Sequence, residues 1–367
     1  MGLSDGPLFM QIKSNKLCYM LEQPQSLKSY YNSIYNNGKS LRLVNQQETN
    51  YLGSSETTCK ATSNSLYNFN LNKIFPSHIN SSQVPSYFLE WFVGFVEGDG
   101  SFIVSKNRLF FILNQKDIRT LYRIRSILGF GKVSSYNGIG RYIISDMKGI
   151  ERLIFIFNGN LLLNKTNERF NNWLNKYNEL AFQNSLPLIN LIQSRLNQQL
   201  KEKLFIDLFS TGWLSGFISA EGCFNAFYQS NKNYLSGYRF RSRFIIDQKD
   251  EEELLQLLYL NFKNGYIHNR IALNQRFIID SFIGCLAVIN YLNKFPQFHF
   301  IKHLAYVKWK KYVLIITNKK LMNQLKLNKE QNKIPLLNIE KLKRLAKSIN
   351  NLEEEIELNE VEDIVQS

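Results

Sequence analysis

The chain has 367 residues, of which 44% are apolar, and a formal net charge of +15. Its length and apolar content are enough for a sizeable core, which excludes an entirely disordered chain. The charge favours a polyanionic partner, either nucleic acid or the acidic face of a membrane. The four cysteines and four histidines are scattered and form no CxxC pair, so neither a zinc site nor a disulfide framework is expected. The apolar stretches, such as 282–292, fall short of the roughly 20 residues that span a bilayer, which predicts a soluble protein without a membrane partner.

Residues 1–84 are rich in Ser, Asn, Gln and Tyr and have little periodicity, which predicts a weakly ordered leader. They lack the basic start and apolar core of a signal peptide, and the first 30 residues contain no Arg. Neither secretion nor a conventional import peptide is therefore expected. The abundance of Asn, Lys, Ile, Tyr and Phe is typical of AT-rich coding DNA, for which an organellar genome is a natural source.

An internal duplication begins beyond Pro85. WFVGFVEGDGSF at 91–102 aligns with WLSGFISAEGCF at 213–224, an offset of 122 residues. NQKDIRTLYRIRSILGFGKV at 114–133 aligns with DQKDEEELLQLLYLNFKNGYI at 247–267, an offset of 133. Alternating apolar and polar residues between the two aligned blocks predict an antiparallel hairpin in each copy, and the larger second offset predicts a longer hairpin in the second copy.

Each copy is predicted to form a helix, two strands, a helix, two strands and a closing helix. The second strand pairs are expected at about 131–145 and 265–281, and the closing helices include 166–177 and 302–315. The predicted division of the chain is a leader at 1–84, a first half at 85–182, a linker at 183–206, a second half at 207–325, and a C-terminal helix with an acidic tail at 326–367. The tail has seven acidic residues after position 351 and no Lys or Arg, which suits a solvated or disordered end or a mimic of DNA.

Small residues four positions apart mark both motif helices. Gly94 and Gly98 share one helix face, as do Gly216 and Ala220, so the two helices are expected to pack closely on each other. Each helix would end at an acid followed by a glycine suited to a left-handed turn, Asp99 before Gly100 and Glu221 before Gly222.

Packing of the two helices would bring both acids together at a basic surface. Two such carboxylates repel unless a cation intervenes, and hard oxygen ligands favour Mg²⁺. The pattern predicts a metal-dependent phosphodiesterase. One glycine-rich helix alone would be explained by core packing, and it is the second copy that favours a functional reading.

The motif pair FVGFVEGDG and LSGFISAEG resembles that of the LAGLIDADG homing endonucleases, particularly the two-motif monomers encoded in introns of fungal mitochondrial genes. The resemblance covers about 87–321. It implies an α+β fold of two αββαββα halves, whose four-stranded antiparallel sheets form a DNA-binding saddle. It also implies a pseudo-twofold monomer in the mitochondrion that uses Mg²⁺ to cut both strands of double-stranded DNA, leaving short 3′ overhangs.

The resemblance assigns candidate site residues. The metal site comprises Asp99, Glu221, Gly98 and Ala220, and the other catalytic candidates are Gln115, Gln248, Lys165 and Lys302. Each lysine is equally suited to a general phosphate contact, and Asp117 and Asp250 are suited to N-capping the helices that follow them. Two positions differ between the halves, because Ser219 replaces the acid matched by Glu97 and Glu252 stands opposite Arg119. These departures predict unequal cutting of the two DNA strands.

Polar and basic residues of the predicted hairpins and their ends form a candidate DNA-binding surface. They are Lys106, Arg108, Lys116, Arg119, Arg141, Asn225, Gln229, Arg239, Arg241, Arg243, Lys249, Arg270 and Arg276. Arg239, Arg241 and Arg243 alternate as one face of a strand should. More candidates lie in the second half, so stronger base discrimination is expected there, although simple solvent exposure would also explain any one of these residues.

Two other functions suit the same features. An RNA maturase that assists splicing of its own group I intron would use the basic surface on structured RNA. A DNA-binding regulator would have the fold without cutting. The acid kept at both motif ends favours a nuclease, since a protein that only binds has no chemical need for either acid.

Overall fold

The computed structural model describes residues 66–234, 237–270, 274–317 and 336–351. Residues 1–65 of the predicted leader and the acidic tail beyond 351 lie outside this part of the chain. The helices are α1 (Leu71–Ile74), α2 (Phe88–Asp99), α3 (Ile118–Leu128), α4 (Met147–Phe157), α5 (Asn164–Gln183), α6 (Arg195–Lys201), α7 (Trp213–Glu221), α8 (Glu252–Phe262), α9 (Phe282–Lys294), α10 (Phe300–Ile316) and α11 (Leu336–Asn350). The strands are β1 (Gly100–Ser105), β2 (Arg108–Gln115), β3 (Lys132–Tyr136), β4 (Ile139–Ile144), β5 (Gly222–Ser230), β6 (Tyr238–Lys249), β7 (Tyr266–Asn269) and β8 (Asn274–Ile279).

The strands form two antiparallel sheets with the same topology, in the orders β1-β2-β4-β3 and β5-β6-β8-β7. The predicted α+β fold of two related four-stranded halves is confirmed. The longer second hairpin is confirmed too, because β5 and β6 have 9 and 12 residues where β1 and β2 have 6 and 8. No helix in the described ranges is both long and apolar enough to cross a membrane.

Two helices, rather than the predicted one, follow the second hairpin of each half. The additional helices, α4 and α9, begin at side-chain caps. Asp146 accepts a hydrogen bond from the backbone N–H of Gly149 at 2.8 Å, and Ser281 accepts one from Gly284 at 3.1 Å. Each cap satisfies a backbone donor that a helix start otherwise leaves free, so a new helix begins directly after the strand.

One face of each sheet packs against helices and forms the core. In the first half, Phe102 and Phe111 contact Phe157 of α4, and Phe102 also contacts Trp173 of α5. In the second half, Phe224 contacts Trp309 of α10. Because side chains alternate along a strand, the residues between these positions lie on the opposite face, called the outer face below.

The last part of the predicted leader packs on the first half. Tyr67, Ile74 and Phe75 are buried, and the guanidinium of Arg152 in α4 donates to the carbonyl oxygen of Ile74 at 3.1 Å. Apolar burial of this kind outweighs the polar composition that suggested a weakly ordered segment. Residues 66–84 therefore lie against the first half in the structure, whereas the sequence reading placed its start at 85.

The predicted linker has structure of its own, since it contains α6. Asn158, at the end of α4, donates to the carbonyl oxygen of Asn190 and accepts from the backbone N–H of Ile192, each at 2.8 Å. This pair of bonds holds an extended stretch of the linker to the first half.

The C-terminal helix α11 covers one end of the second sheet. Its last residue, Asn350, accepts from the backbone N–H of Ala226 at 3.2 Å and donates to the carbonyl oxygen of Ala226 at 2.7 Å. Lys343 lies over the ring of Tyr238, 3.9 Å from its centre. Since β5 is an edge strand, these contacts satisfy backbone groups that an open edge would expose.

Candidate active site and nucleic-acid interface

The centre of the molecule is the contact between the motif helices α2 and α7. A Cβ atom on Gly94 would overlap the carbonyl oxygen of Trp213, and one on Gly216 would overlap the carbonyl oxygen of Trp91. A Cβ on Gly98 would overlap that of Ala220. Only small residues allow the two backbones to come this close. The predicted packing of the two helices is confirmed.

Two tryptophans cross this contact in a pseudo-symmetric pattern. Trp213 donates its indole N–H to Glu97, and Trp91 donates to the hydroxyl of Ser219 at 3.2 Å. Ser219 also accepts from the amide of Gln297, again at 3.2 Å. Ser219 and Gln297 together therefore take the place that Glu97 fills alone in the first half, and two neutral, hydrogen-bonded side chains replace the missing acid.

Glu97 is a buried structural group. It accepts hydrogen bonds from the backbone N–H groups of Leu162 at 2.8 Å and Leu163 at 2.6 Å. Burial raises the pKa of Glu97 to about 8, against the opposing effect of these bonds and of Trp213. Its carboxyl group thus holds the loop before α5 to the motif helix.

The acids Asp99 and Glu221 are the last residues of α2 and α7, and each is followed by a glycine that begins a strand. The expected left-handed turn at these glycines is wrong, because Gly100 and Gly222 are extended, with φ of −80° and −73°. Glycine is required for another reason. A Cβ would lie 2.7 Å from the carbonyl oxygen of Val96 in the first half, and 2.6 Å from that of Ile218 in the second.

Each acid is held by a glutamine from the end of the second strand of its half. The amide of Gln115 donates to Asp99 Oδ2 at 2.7 Å, and the side chain of Gln248 hydrogen-bonds to Glu221. Burial raises the pKa of Asp99, while the bond from Gln115 and the charge of Lys302 lower it. The structure thus brings both predicted glutamines to the two predicted acids.

The two carboxyl groups interact electrostatically. Burial, followed by the negative charge of Asp99, raises the pKa of Glu221 to about 7. A cation between the two groups would relieve both effects, and paired carboxylates suit a hard divalent ion. The described residues hold no group of three or more His, Cys, Asp or Glu placed to bind a metal. Further ligands would therefore have to be oxygen atoms of the backbone, of water or of a nucleic acid.

The two candidate lysines make different contacts near this pair. Lys302 donates to the carbonyl oxygen of Gly222 at 2.9 Å, and its charge lowers the pKa of both Asp99 and Glu221. Lys165 donates to the carbonyl oxygen of Lys249 at 2.8 Å and lies 3.4 Å from a carboxylate oxygen of Asp250. A cavity of about 450 Å³ is lined by residues that include Lys165, Glu221, Gln248, Lys249 and Arg270.

His299 is a residue of this site that the sequence reading missed. Its Nδ1 accepts from the backbone N–H of Lys302 at 3.3 Å, so the neutral ring has its proton on Nε2. That atom lies 3.2 Å from Gln115 Oε1, which leaves the amide of Gln115 directed at Asp99. The expectation of no zinc site overlooked that His303 lies four residues after His299. Both ring nitrogens of His299, however, face other partners, the backbone N–H of Lys302 and the side chain of Gln115.

Burial lowers the pKa of His299 to about 4, and Asp117 acts in the opposite direction. The unfolded chain would bind this proton near pH 6.5, whereas the folded chain binds it only near pH 4. We therefore expect the free energy of unfolding to fall as the pH is lowered through this window, by up to about 1.4 kcal/mol per pH unit from this group. His299→Asn should remove that contribution in denaturant unfolding measured from pH 7 to pH 4.

The matched control is His268→Asn, since His268 is exposed on β7. This control should keep the pH dependence of the wild type. An unchanged slope in the His299→Asn variant would show that the ring does not stay neutral in the folded protein.

The caps of the helices that follow the glutamines differ between the halves. Asp117 occupies the predicted N-cap position of α3, but its side chain makes no capping hydrogen bond to the helix backbone. Its carboxylate accepts instead from Thr120 Oγ1 at 2.7 Å and from Arg119 Nε at 2.9 Å. The predicted N-cap role of Asp250 is wrong. Asp250 has φ of +56°, and Glu251 takes the cap position of α8, because the longer strand β6 extends to Lys249.

The outer face of the second sheet carries the predicted row of arginines. Each arginine lies directly opposite a β5 residue of the same face, in the pairs Arg239–Gln229, Arg241–Phe227 and Arg243–Asn225. The alternation predicted for these arginines is confirmed. Two other candidates are already engaged within the protein, because Arg276 donates to Asp247 at 2.6 Å and Asn225 donates to Asn350 at 3.3 Å.

The first sheet has fewer cations on its outer face. Arg141 donates to Asn114 at 2.9 Å, and the guanidinium of Arg108 lies 5.2 Å from the ring centre of Phe110. Lys106 is in the turn between β1 and β2, and Lys116 follows β2. Arg119 is held by Asp117 and lies 4.2 Å from the ring centre of Phe300, at the edge of the site rather than on the sheet.

Comparison with known proteins gives related sequences in fungi. "Probable intron-encoded endonuclease 4" of Neurospora crassa is 31% identical to this chain over 241 residues, which are 64% of this chain and 41% of that protein. An uncharacterised cox1 intron-2 protein of Schizosaccharomyces pombe is 28% identical over 273 residues, 72% of this chain and 78% of that protein. The intron-encoded RNA maturase bI4 of Saccharomyces cerevisiae is 25% identical over 228 residues, 57% and 32% of the two chains. This chain thus spans less than half of the Neurospora and Saccharomyces relatives.

Solved structures share the fold. The meganuclease I-SmaMI bound to uncleaveable DNA matches with a TM-score of 0.52 at 20% identity, over 66% of this chain and 99% of that one. I-SmaMI bound to its uncleaved DNA target with calcium ions matches with a TM-score of 0.52 at 18% identity, over 71% and 98% of the two chains. A family model described as LAGLIDADG endonuclease matches residues 92–177 and 214–313, half of the chain in two segments that each begin in a motif helix. With both motif helices and both sheets in place, this chain belongs to the LAGLIDADG endonuclease family.

Proposed function

We propose that this protein is an intron-encoded homing endonuclease. It makes a Mg²⁺-dependent double-strand break in a long double-stranded DNA target, leaves short 3′ overhangs and so promotes movement of its intron. The observation that carries the proposal is the pair of carboxyl groups at the adjacent ends of α2 and α7, each hydrogen-bonded to a glutamine. A protein that only bound DNA would gain nothing from two half-buried carboxyl groups that repel each other.

Asp99 and Glu221, at helix ends that also present Gly98 and Ala220, would hold the divalent metal, which when bound lowers the pKa of water and stabilises charge on a phosphate. Gln115 and Gln248 orient the two carboxyl groups. Lys302 and Lys165 supply positive charge near the acids, where a phosphate and its leaving oxygen would carry negative charge.

The two sides of this site differ, and we propose that the two strands are cut at different rates. The ring of His299 contacts the side-chain oxygen of Gln115, whereas Gln248 has no histidine partner among the described residues. Both lysines donate to a backbone carbonyl oxygen, but only Lys165 also lies close to a carboxylate, that of Asp250. The two lysines are therefore held by different groups, which supports unequal rates.

The central experiment incubates the purified full chain and Mg²⁺ with DNA that spans the intronless version of its host gene. We expect one specific double-strand cut, no cut when EDTA removes the metal, and 3′ overhangs when the ends are sequenced. Specific binding without a cut in any divalent metal would overturn the nuclease in favour of a DNA-binding regulator.

The arginine row on β6 is proposed to read bases in the part of the target that faces the second sheet, called the second half-site below. Arg241→Ala should weaken discrimination at one or two positions of this half-site by about 1–3 kcal/mol each, because a bidentate arginine contact to guanine is lost. The measurement is the cleavage rate on a target set with every base pair substituted in turn. Arg344→Ala, which removes the same charge from the exposed side of α11, should leave the base profile unchanged. If the two variants give the same profile, Arg241 contacts only the phosphate backbone.

A second function is favoured by one observation, the similarity to the maturase bI4. We propose that the basic surface can also bind the group I intron RNA that encodes the protein. A splicing assay with the wild type and with Asp99→Asn separates the activities, since RNA binding needs no metal-bound acid.

The names of the cox1 intron relatives support an origin in a mitochondrial gene. The pseudo-twofold pair of halves supports a monomer.

A further inference from the structure

The outer face of the first sheet has an apolar strip at its centre, formed by Ile103, Phe110, Ile112 and Ile143. Ile103 lies directly opposite Phe110, and Ile112 lies directly opposite Ile143. These residues alternate with the core residues of the same strands, so they lie on the face away from the helices. Ile103 is 37% exposed, and the other three are half-buried.

The second sheet has different residues at one of these two ladder pairs, the one formed by Ile103 and Phe110. β1 and β5 both start at the glycine after the motif acid, so Ile103 corresponds to Asn225, and their partners Phe110 and Arg243 also correspond. A pair of polar side chains in one half is therefore an apolar pair in the other. The second sheet also keeps two isoleucines, Ile245 and Ile278, but they are only 8% and 7% exposed.

Charged residues border the apolar strip rather than interrupt it. Arg108 is at the start of β2, Arg141 pairs with Asn114 at the other end, and Lys132 starts β3 on the side of Ile143. This arrangement suits a polyanion whose phosphates contact the border while apolar groups contact the centre. The strip is continuous with the surface proposed above to bind DNA.

The chemistry of base edges selects the occupant of this strip. In the major groove only thymine presents an apolar group, its C5 methyl, whereas the other edges present hydrogen-bond donors and acceptors. An isoleucine or phenylalanine against those polar edges would leave them unsatisfied, which is costly. Against thymine it buries a methyl group.

We infer that the first sheet recognises thymine methyl groups, so that one half-site depends on thymines and the other on hydrogen bonds from arginine. This inference rests on the proposed function, since it requires the outer faces to lie in the major groove. Removing one thymine methyl from a contact with the strip should weaken binding about fourfold, the effect of one buried methylene-sized group.

The test uses one randomised duplex library prepared in two forms, with thymine or with uracil, which differ only in the C5 methyl. The wild-type chain selects from both forms in Ca²⁺, and the bound molecules are sequenced. We expect thymine to be enriched at several positions of one half-site in the first library. In the uracil library that enrichment should disappear, while the base profile of the other half-site stays the same.

Two variants connect the effect to the strip. Ile103→Ser should lose thymine enrichment at one or two positions of the thymine-dependent half-site. Val104→Ser is the matched control, because Val104 is the next residue of β1, is 45% exposed and lies on the other face. It should keep the wild-type profile.

The outcomes separate the inference from the proposal beneath it. Sequence enrichment that is equal in the thymine and uracil libraries overturns methyl recognition and leaves the DNA-binding function standing. If neither library shows any sequence enrichment, both the methyl recognition and the proposed DNA-binding function are overturned. If the difference between the thymine and uracil libraries is lost in Val104→Ser but kept in Ile103→Ser, a surface other than the strip recognises the methyl groups.

Discussion

Asp99→Asn and Glu221→Gln are each expected to abolish double-strand cleavage while DNA binding stays within a few-fold of the wild type. Both changes keep the shape of the side chain and its hydrogen bond to glutamine but remove the negative charge that would bind a metal. Metal stabilisation of a phosphoryl transition state is worth several kcal/mol, so the cleavage rate should fall by roughly 10³-fold or more. The rates are measured under single-turnover conditions on the mapped target, with binding measured in Ca²⁺.

The two acids are expected to act as one unit because they interact directly and share the charge of Lys302. The double variant should therefore be no slower than either single variant, since effects of residues that act together do not add. Glu179→Gln is the control, because Glu179 is an exposed acid of α5 that pairs with Lys176. Efficient nicking of one strand by either single variant would contradict a shared site and indicate two independent ones.

Much of the fold could be predicted because the chain repeats itself. Two motif copies, each with small residues four positions apart, fix the helix pair, and the larger second offset fixes the longer hairpin. The glutamines Gln115 and Gln248 could be placed because each lies at the end of a strand that returns, antiparallel, to the start of the strand that follows the acid. In each case a periodic local pattern determined the contact.

Other parts of the site depend on residues that have no counterpart in the repeat. His299 and Gln297 lie in the short segment before α10, where the first half has leucines. Their partners Gln115 and Ser219 are distant in sequence, so no spacing could connect them. The burial that raises the pKa of Glu97 to about 8 is likewise set by the loop before α5 and by a tryptophan of the other half.

The local backbone conformation at the motif glycines and at two helix starts could not be predicted from the sequence either. The sequence shows that glycine follows each acid but does not show why, and two explanations, a left-handed φ and a lack of room for a Cβ, favour the same residue. Only the position of the preceding turn, whose carbonyl oxygens approach Gly100 and Gly222, decides between them. The additional helices α4 and α9 were missed because their caps follow the strands without an intervening loop.

Gly216→Ala is expected to destabilise the whole molecule, because its new methyl group would overlap the carbonyl oxygen of Trp91. It would also lie 2.8 Å from the backbone nitrogen of Phe95, so no rotamer change can relieve the overlap. The helices would have to separate, although they are held by the bond from Trp91 to Ser219. Overpacking against backbone should cost about 3 kcal/mol or more and lower the thermal midpoint by roughly 6 °C or more.

The control for this substitution is Gly138→Ala in the turn between β3 and β4. A Cβ there meets nothing within 4 Å, and the cost comes only from φ of +73°, about 1 kcal/mol. A Gly216→Ala variant as stable as Gly138→Ala would show that the two motif helices are further apart than described. Because α2 and α7 also carry the two acids, any separation that the methyl group forces must move Asp99 away from Glu221. Cleavage by Gly216→Ala should therefore be lost even at temperatures where the variant remains folded, which distinguishes a displaced metal site from simple unfolding.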